Sequence, residues 1–161
     1  MWNGATWRVV TIQHPPQFFS GGLTDVSCAS STECPATGFY FTSVQGNSFS
    51  LADLWNGQRW RILNPPRIEL DTVSCTSASF CMAVGNSTGE MWNGRKWRTQ
   101  KLPGLFGIGP GITGVSCVSR SDLQGVEGFN VAEFWSGTAR RRLATAGPGG
   151  GCPLPADDRR A

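Results

Sequence analysis

A motif that recurs along the chain constrains its fold more than any other feature of the sequence. The motif reads Trp-Asn-Gly-x-x-Trp, and its copies begin at Trp2, Trp55, Trp92 and, in degenerate form, Trp135. A second motif, V-S-C-x-S-x-x-x-C-x-A-x-G, occupies residues 26–38 and 73–85, and a worn third copy begins at Val115. Because both motifs recur in the same order, the chain is built from repeats of roughly 40 to 50 residues.

A repeat of this length suits either helical solenoids or four-stranded propeller blades, and the local pattern favours blades. Segments such as FSLADLW (49–55) are short, roughly alternate apolar with polar residues, and show no 3.6-residue stripe. Asn56-Gly57 and its equivalents predict tight hairpins, because both residues tolerate positive φ. We therefore predict an all-β protein with about three β-propeller-type four-stranded blades, forming an incomplete, open propeller.

The repeat spacing also predicts the organisation of the chain. Blades are expected at 17–66 and 67–102, a degenerate blade at 103–143, the outer strands of a partial blade at 1–16, and a disordered Arg/Gly/Pro-rich tail at 144–161. The chain begins inside its own repeat, and Arg140 stands where the second Trp of the last motif is expected. We therefore expect a piece of a larger propeller, in which the repeat is cut off by a reading-frame shift near Ala139 or by a premature end. Open blade faces would favour self-association.

Paired cysteines recur at one position of the repeat. The pairs are Cys28 with Cys34 and Cys75 with Cys81. Each pair would join the end of a first strand to the start of a second, a placement that suits disulfide geometry. Zinc is the alternative, but it usually requires closer cysteines or added histidines, and His14 is the only His. Disulfides are favoured, and they predict a secreted or cell-surface protein.

The third repeat lacks its second cysteine. Leu123 occupies that position, so Cys117 has no equivalent partner. Cys152 lies in the tail, outside the repeat, and the sequence does not assign the state of either Cys117 or Cys152.

Two further residue types recur beside the Trp-Asn-Gly turn. The Trp pairs are expected either to pack one blade against the next or to form exposed stacking platforms. An acid precedes the first Trp of the motif at Asp53, Glu90 and Glu133. It either accepts a backbone hydrogen bond at the blade edge or belongs to a ring of acids offered to a ligand or cation. These three acids are the candidate binding residues.

The two motifs together resemble the cysteine-containing propeller repeats of secreted and cell-surface proteins from actinobacteria. The resemblance covers roughly residues 1–139 and implies a secreted propeller without implying an activity. A looser likeness, through G-x-x-W, is to the Asp-box of sialidase-type propellers. Trp replaces the Asp of that box in every copy, and this argues against sialidase chemistry.

Groups suited to catalysis are sparse. With His14 as the only His and no Ser at a recognisable elbow, a Ser-His-Asp hydrolase is disfavoured. Tyr40, the only Tyr, lies in an ordinary strand segment and not in the position of a sialidase nucleophile. We therefore predict a protein that is not an enzyme, with no catalytic residue, no cofactor and no metal.

The predicted function is that of a non-enzymatic extracellular module that binds an unidentified glycan or protein. The alternative is a fragment of a propeller glycosidase, sialidase-like enzyme or lyase whose catalytic residues lie outside this chain. A net charge of +3 does not demand a nucleic-acid partner. Membrane insertion is not predicted either, because no apolar run approaches the roughly 20 residues of a spanning helix.

Overall fold

The computed structural model describes residues 1, 4–63, 69–85, 88–100, 112–127, 131–135 and 140–144. For residues 127, 131–135 and 140–144 the description covers the backbone alone. Twelve β-strands form in these ranges, and no helix occurs in them. The part of the chain described here accordingly contains no helix suited to crossing a membrane.

The strands form three four-stranded antiparallel sheets, each in the order of the sequence. Blade 1 contains β1 (Ser20–Val26), β2 (Cys34–Phe41), β3 (Ser48–Trp55) and β4 (Trp60–Leu63). Blade 2 contains β5 (Thr72–Ser77), β6 (Phe80–Gly85), β7 (Thr88–Trp92) and β8 (Trp97–Gln100). Blade 3 contains β9 (Ile112–Ser119), β10 (Asp122–Glu127), β11 (Val131–Trp135) and β12 (Arg140–Ala144). These sheets confirm the predicted all-β architecture of four-stranded blades.

The turn between the last two strands of blades 1 and 2 departs from the expected dihedral angles. Gly57 and Gly94 adopt φ of 91° and 87°, whereas Asn56 and Asn93 do not take positive φ. Asn56 Oδ1 instead accepts hydrogen bonds from the backbone N–H groups of Gln58 and Arg59, at 3.0 and 2.9 Å. Asn93 does the same in blade 2, at 3.0 Å for both. The Asn therefore contributes a side-chain acceptor, and only the Gly needs conformational freedom.

The Gly of the C-x-A-x-G motif is required by a close approach of two strands. A Cβ atom added at Gly38 would lie 2.1 Å from the carbonyl oxygen of Gly22. One added at Gly85 would lie 2.2 Å from that of Glu69. In both blades the backbone leading into or forming the first strand occupies the space of a side chain, so any other residue would push the strands apart.

Both predicted disulfides form. Cys28 bonds to Cys34 and Cys75 to Cys81, with Cα atoms 4.0 Å apart in each pair. The first strand of blade 1 ends at Val26, and the antiparallel pairing continues beyond it, since the N–H groups of Ser27 and Ala29 donate to Pro35 O and Glu33 O. In blade 3 Cys117 lies opposite Leu123 and is a free, half-buried thiol. Burial raises the pKa of this thiol, which favours its protonated form.

Blades 1 and 2 share one hydrophobic core. Its buried members are Ala52, Leu54, Leu70, Val73, Cys81, Ala83, Trp92 and Trp97. Ala52 and Leu54 belong to β3 of blade 1, and the others lie in blade 2. The core is thus a layer between two blades, as expected for repeats that bury their apolar faces against one another.

The layer gives each blade two distinct faces. Cross-strand partners share a face of a sheet, and successive residues alternate between faces. In blade 2 the face that carries Val73, Ala83 and Trp92 packs against blade 1, and we call it the near face. In blade 1 the face that carries Ala52 and Leu54 packs against blade 2, and we call it the far face.

A repeated hydrogen bond links the first strands of successive blades. Ser27 Oγ accepts from the N–H of Cys75, and Ser74 Oγ accepts from the N–H of Cys117, both at 2.9 Å. The serines are the middle residues of the first two V-S-C copies, and the donors are the cysteines of the following copies. The V-S-C motif therefore joins neighbouring blades as well as carrying the disulfide.

Other contacts reinforce these two junctions. Asp25 Oδ2 accepts from the Thr72 hydroxyl at 2.7 Å and from the Val73 N–H at 2.8 Å. Between blades 2 and 3 the Arg120 guanidinium donates to Ser79 O at 2.8 Å and lies 5.2 Å from the ring centre of Phe80. The three blades therefore stack in chain order. The far face of each blade packs against the near face of the blade that follows it in the chain.

The predicted terminal regions are described only in part. Residues 4–19 contain no named strand, although the Arg8 N–H donates to Met1 O at 2.8 Å, an antiparallel contact. Trp2 and Asn3 lie outside the described residues, as do residues 145–161 with Cys152. The partial blade at 1–16, the tail at 144–161 and the other proposed boundaries stay predictions.

Candidate functional site: the buried acids and an aromatic end

The first two candidate acids lie at the same place in successive blades. Asp53 on β3 has Ala36 and Ile62 as cross-strand partners. Glu90 on β7 has Ala83 and Thr99. Both acids are fully buried, with 0% of each residue exposed. A ligand in solution therefore cannot contact either carboxylate while the layers stay closed.

The two carboxylates occupy different layers. Glu90 shares the near face of blade 2 with Ala83, so it points into the layer between blades 1 and 2. Asp53 alternates along β3 with Ala52 and Leu54, which face that same layer. Asp53 therefore points to the opposite side of blade 1, and the blade separates the two acids.

Asp53 is the less favourably placed of the two buried acids. Neither carboxylate oxygen has one among the described residues. Burial raises the pKa of Asp53 from 3.8 to about 6, and the positive charge of His14 limits the rise. The predicted backbone hydrogen bond at the blade edge is thus not made, because the neighbouring backbone groups are already paired within the sheet.

Glu90 is better accommodated. Its Oε1 accepts a hydrogen bond of 2.9 Å from the Thr99 hydroxyl, whereas Oε2 has no partner in the described part of the chain. Burial raises the pKa of Glu90, and the Thr99 hydrogen bond opposes that rise. Each layer therefore encloses one carboxyl group that favours its protonated form more than an exposed acid does.

Glu133, the third candidate acid, is placed by its backbone pairing only. It pairs with Gly125 on one side and Arg142 on the other, the position that Asp53 and Glu90 hold in their blades. Its side chain lies outside the described part of the structure. Within that part no three His, Cys, Asp or Glu side chains are grouped as metal ligands. A binding role for the three acids stays a prediction.

The Trp pairs answer the question left open by the sequence. Trp92 and Trp97 are 1% and 7% exposed, with ring centres 5.5 Å apart. Trp55 is buried beside the half-buried Trp60, at 5.8 Å, and its Nε1 donates to Ser31 O. These four side chains pack blades and do not form stacking platforms. Trp7 is the exception, at 79% exposed.

An aromatic extension of blade 1 is the feature that sequence reasoning missed. Gly38 precedes Trp55 by 17 residues, whereas the equivalent Gly85 precedes Trp92 by 7. The ten extra residues lengthen β2 and β3 into an arm that ends in the loop around Val44. A comparison of the two repeats could have found it, since the twelve residues FYFTSVQGNSFS from 39 to 50 stand where the second repeat has only Asn86 and Ser87.

Aromatic side chains gather along this arm, which we call the aromatic end. They are Phe18, Phe19, Phe39, Tyr40, Phe41 and Phe49. On one face His14 stacks on Phe18 at 4.1 Å, Phe18 on Tyr40 at 6.0 Å and Tyr40 on Phe49 at 5.5 Å, between ring centres. Tyr40 and Phe49 share the face of Asp53, so the segment that carries His14 and Phe18 packs on this side of blade 1.

The aromatic end is only partly covered. Phe19 is 56% exposed and Val44 82% exposed, and the remaining rings are half-buried. The Phe19 N–H donates to Phe41 O at 2.8 Å, which fixes Phe19 beside the end of β2. Aromatic side chains on a rigid sheet supply contact area at low entropic cost, and they are enriched at protein interfaces. This arrangement suits binding more than chemistry.

Comparison with known proteins identifies the fold and no family. No family model matches the sequence, and no curated protein matches it. A solved structure titled "YCF48 bound to D1 peptide" superimposes with a TM-score of 0.56 at 12% identity. The match covers 82% of this chain and 47% of the solved chain, so this chain spans about half the length of that protein. The three stacked blades therefore form a β-propeller fold that is not closed into a ring.

Proposed function

We propose that this chain is a non-enzymatic propeller module that binds a protein ligand, through an extended segment laid on the aromatic end of blade 1. The aromatic end is the observation that carries the proposal. It combines the exposed ring of Phe19 with a two-stranded arm that blade 2 lacks. An insertion confined to one blade is typical of a binding feature added to a structural repeat.

The choice of a protein ligand over a glycan has two supports. The aromatic end presents several phenyl rings and Val44 together, and the arm from 39 to 50 contains no Asp or Glu to accept from sugar hydroxyls; surface of this kind is typical of protein interfaces. The structural neighbour is described as bound to a peptide, which makes peptide binding a known use of this fold. Both supports favour an apolar or aromatic peptide segment.

The proposed setting is extracellular. Two disulfides at equivalent positions are typical of proteins that fold in an oxidising compartment. The likeness to actinobacterial secreted propeller repeats agrees with that setting. We therefore propose a secreted or cell-surface module that presents the aromatic end to a partner outside the cell.

The test is a binding screen with the oxidised chain. A displayed library of random 12-residue peptides and a glycan array would both be probed with the wild-type protein. We expect enrichment of peptides rich in aromatic or aliphatic residues and no glycan signal. Phe19→Ala and Val44→Ser should each weaken binding of the enriched peptides by about tenfold, as for an interface anchor worth more than 1 kcal/mol.

Val118→Ser is the matched control, because Val118 is 71% exposed on blade 3, away from the aromatic end. It should leave binding unchanged. Glycan binding without peptide binding, or peptide binding that neither arm substitution affects, would contradict the proposal. Hydrolysis of fluorogenic glycosides, lost on substitution of a carboxylate, would favour an enzyme instead.

A further inference from the structure

We propose that the surface of the aromatic end beneath Phe18 is a peptide-binding groove, which a turn of this chain at 15–18 fills in this structure. The partner is a proline-containing peptide whose aromatic side chain takes the place of Phe18 against Tyr40. The groove belongs to the aromatic end, so it rests on the proposed function. It adds which residues a ligand displaces and what chemistry that ligand carries.

Residues 15–18 form a tight turn that is unfavourable at one position. The Phe18 N–H donates to Pro15 O at 3.3 Å, and Gln17 adopts φ of 63°. This is the pattern of a type II turn with Pro16 in second place, whose third residue needs positive φ and is usually Gly or Asn. Gln17 is the only non-glycine residue with positive φ in the described part of the chain. The turn is therefore closed against a backbone strain that glycine would remove.

Aromatic rings hold this turn against the blade. The Phe18 ring centre lies 4.1 Å from that of His14 and 6.0 Å from that of Tyr40. Among the described residues, 14–18 make no backbone hydrogen bond to blade 1 and belong to no named strand. The chain is fixed again at Phe19, whose N–H donates to Phe41 O. The turn can therefore leave the blade without breaking a strand pairing, while Phe19 stays in place.

The movement required is local. Val10 and Ile12, which precede the turn, are half-buried with exposed residues between and beside them, so one side of this stretch faces the protein. Opening of 14–18 does not require them to move. Leu51 and Trp55 on β3 are 3% and 5% exposed and can stay covered. Release of the turn then uncovers the half-buried rings of the arm and leaves the buried core closed, which limits the free energy of opening.

The segment that now fills the groove indicates the chemistry of the partner. His14 and Pro15 each precede a proline, which favours extended backbone, and Phe18 then places its ring against Tyr40. Proline-rich segments bind aromatic grooves because their extended conformation is already formed and loses little entropy on binding. A peptide that offers proline and an aromatic ring without strain at a residue such as Gln17 would replace the turn. The partner is therefore a protein that exposes such a segment.

The test uses the full oxidised chain and a synthetic peptide with the sequence of residues 12–19, IQHPPQFF. The turn competes with the peptide, so the apparent dissociation constant is the intrinsic one divided by the fraction of open chains. Phe18→Ala removes the competing ring, and we expect this chain to bind the peptide at least tenfold more tightly than the wild type. Gln17→Gly relieves the positive φ, keeps the turn closed and should weaken binding about fivefold. Isothermal titration calorimetry measures all three.

The matched control is Gln13→Ala, which changes an exposed residue beside the turn and should leave binding unchanged. A peptide that itself carries Phe18→Ala should bind every chain at least tenfold more weakly. His14 supplies a second readout, because it is the only His of the chain. Stacking on Phe18 displaces the NMR signals of the His14 ring, and peptide binding to the wild type should move them to their positions in the Phe18→Ala chain.

Opposite effects of the two substitutions are the decisive result. Equal affinities of the wild-type, Phe18→Ala and Gln17→Gly chains would overturn the groove, as would bound peptide that leaves the His14 signals of the wild type in place. Library peptides that depend on Phe19 and Val44 but bind these three chains equally would refute the groove and leave the proposed function standing. If neither IQHPPQFF nor any library peptide bound any chain, the proposed function would fail together with the groove.

Discussion

Equivalent residues of the repeat are buried in the layer between blades 1 and 2 but exposed on the N-terminal segment and on the first strand of blade 1. Trp97 is 7% exposed within the layer, whereas Trp7, at the same motif position, is 79% exposed. Val73 and Val26 differ in the same sense, at 4% and 53%. The motif supplies an apolar side chain, but that side chain is buried only where a neighbouring blade packs against it. Stability in such a stack resides in the junctions between repeats.

The largest expected effect tests this contrast at one motif position. Trp97→Ala removes a buried ring from the shared core and should lower the free energy of unfolding by about 3 to 5 kcal/mol. Trp7→Ala removes an exposed ring and should change it by less than about 0.5 kcal/mol. Urea denaturation at concentrations where the chain is monomeric measures both. Equal losses would show that the N-terminal segment is packed as tightly as blade 2.

The close approach of strands gives the next effect. Gly85→Ala places a Cβ 2.2 Å from the Glu69 carbonyl oxygen, and the strands must separate. We expect a loss of about 3 kcal/mol, at the upper end for overpacking of a rigid site. Gly22→Ala is the control, because no atom lies within 4 Å of its Cβ position. Thermal unfolding of the two variants side by side measures the difference, and similar midpoints would contradict the packing argument.

Blade 3 allows the disulfide position to be rebuilt. Leu123→Cys places a thiol opposite Cys117, in the register that Cys81 holds opposite Cys75. A third disulfide should form and stabilise the chain by about 2 kcal/mol, through restriction of the unfolded state. Loss of free thiol together with a higher urea midpoint would confirm it.

Cys75→Ser, made together with Cys81→Ser, is the reverse experiment and should destabilise by about the same 2 kcal/mol. Cys117→Ser, made without Leu123→Cys, breaks no bond and should have a smaller effect. A Leu123→Cys variant that keeps two free thiols under oxidising conditions would show that blade 3 does not share the register of blade 2.

The smallest expected effect concerns the acid under the N-terminal segment. The folded chain raises the pKa of Asp53 from 3.8 to about 6, so folding favours the protonated acid. Its contribution to stability is full below about pH 4 and is lost as the pH rises through 6. We expect this group to lower the free energy of unfolding by about 1 to 2 kcal/mol between pH 4 and pH 7.

Asp53→Asn keeps the shape of the side chain and removes its titration. The variant should be more stable than the wild type at pH 7 and nearly equal to it at pH 4, as measured by urea midpoints at the two values. A wild-type chain with the steeper gain in stability as pH rises would reverse the sign and show that Asp53 is paired in solution.

Much of the fold could be predicted because its signals are local. Alternation of residues along 49–55 predicts β3, whose bounds the structure confirms from Ser48 to Trp55. The Asn-Gly pairs predict the hairpins, although Asn56 acts through its side chain and not through its own φ. Cysteine spacing predicts both disulfides, since two strands joined by a short turn bring the pair together whatever surrounds them.

The candidate site was less predictable, since it depends on which surfaces meet. Asp53 and Glu90 hold the same motif position, but the Thr99 hydroxyl donates to Glu90, whereas no group among the described residues donates to Asp53. The aromatic end depends on an insertion in one repeat and on the packing of Phe18 against Tyr40. Neither fact follows from the motif, because both arise from neighbours that differ between the repeats.

The sequence by itself determined the strands, the hairpins, the disulfide pairs and their grouping into blades, because each depends on residues close together in the chain. Only the tertiary structure decided that Ser27 and Ser74 join successive blades, that Asp53 is buried with no hydrogen-bond partner among the described residues, and that Val26 and Val126 are exposed where Val73 and Val84 are buried. Burial and pairing are properties of two surfaces in contact. A repeated motif specifies one of those surfaces, and the neighbouring blade supplies the other.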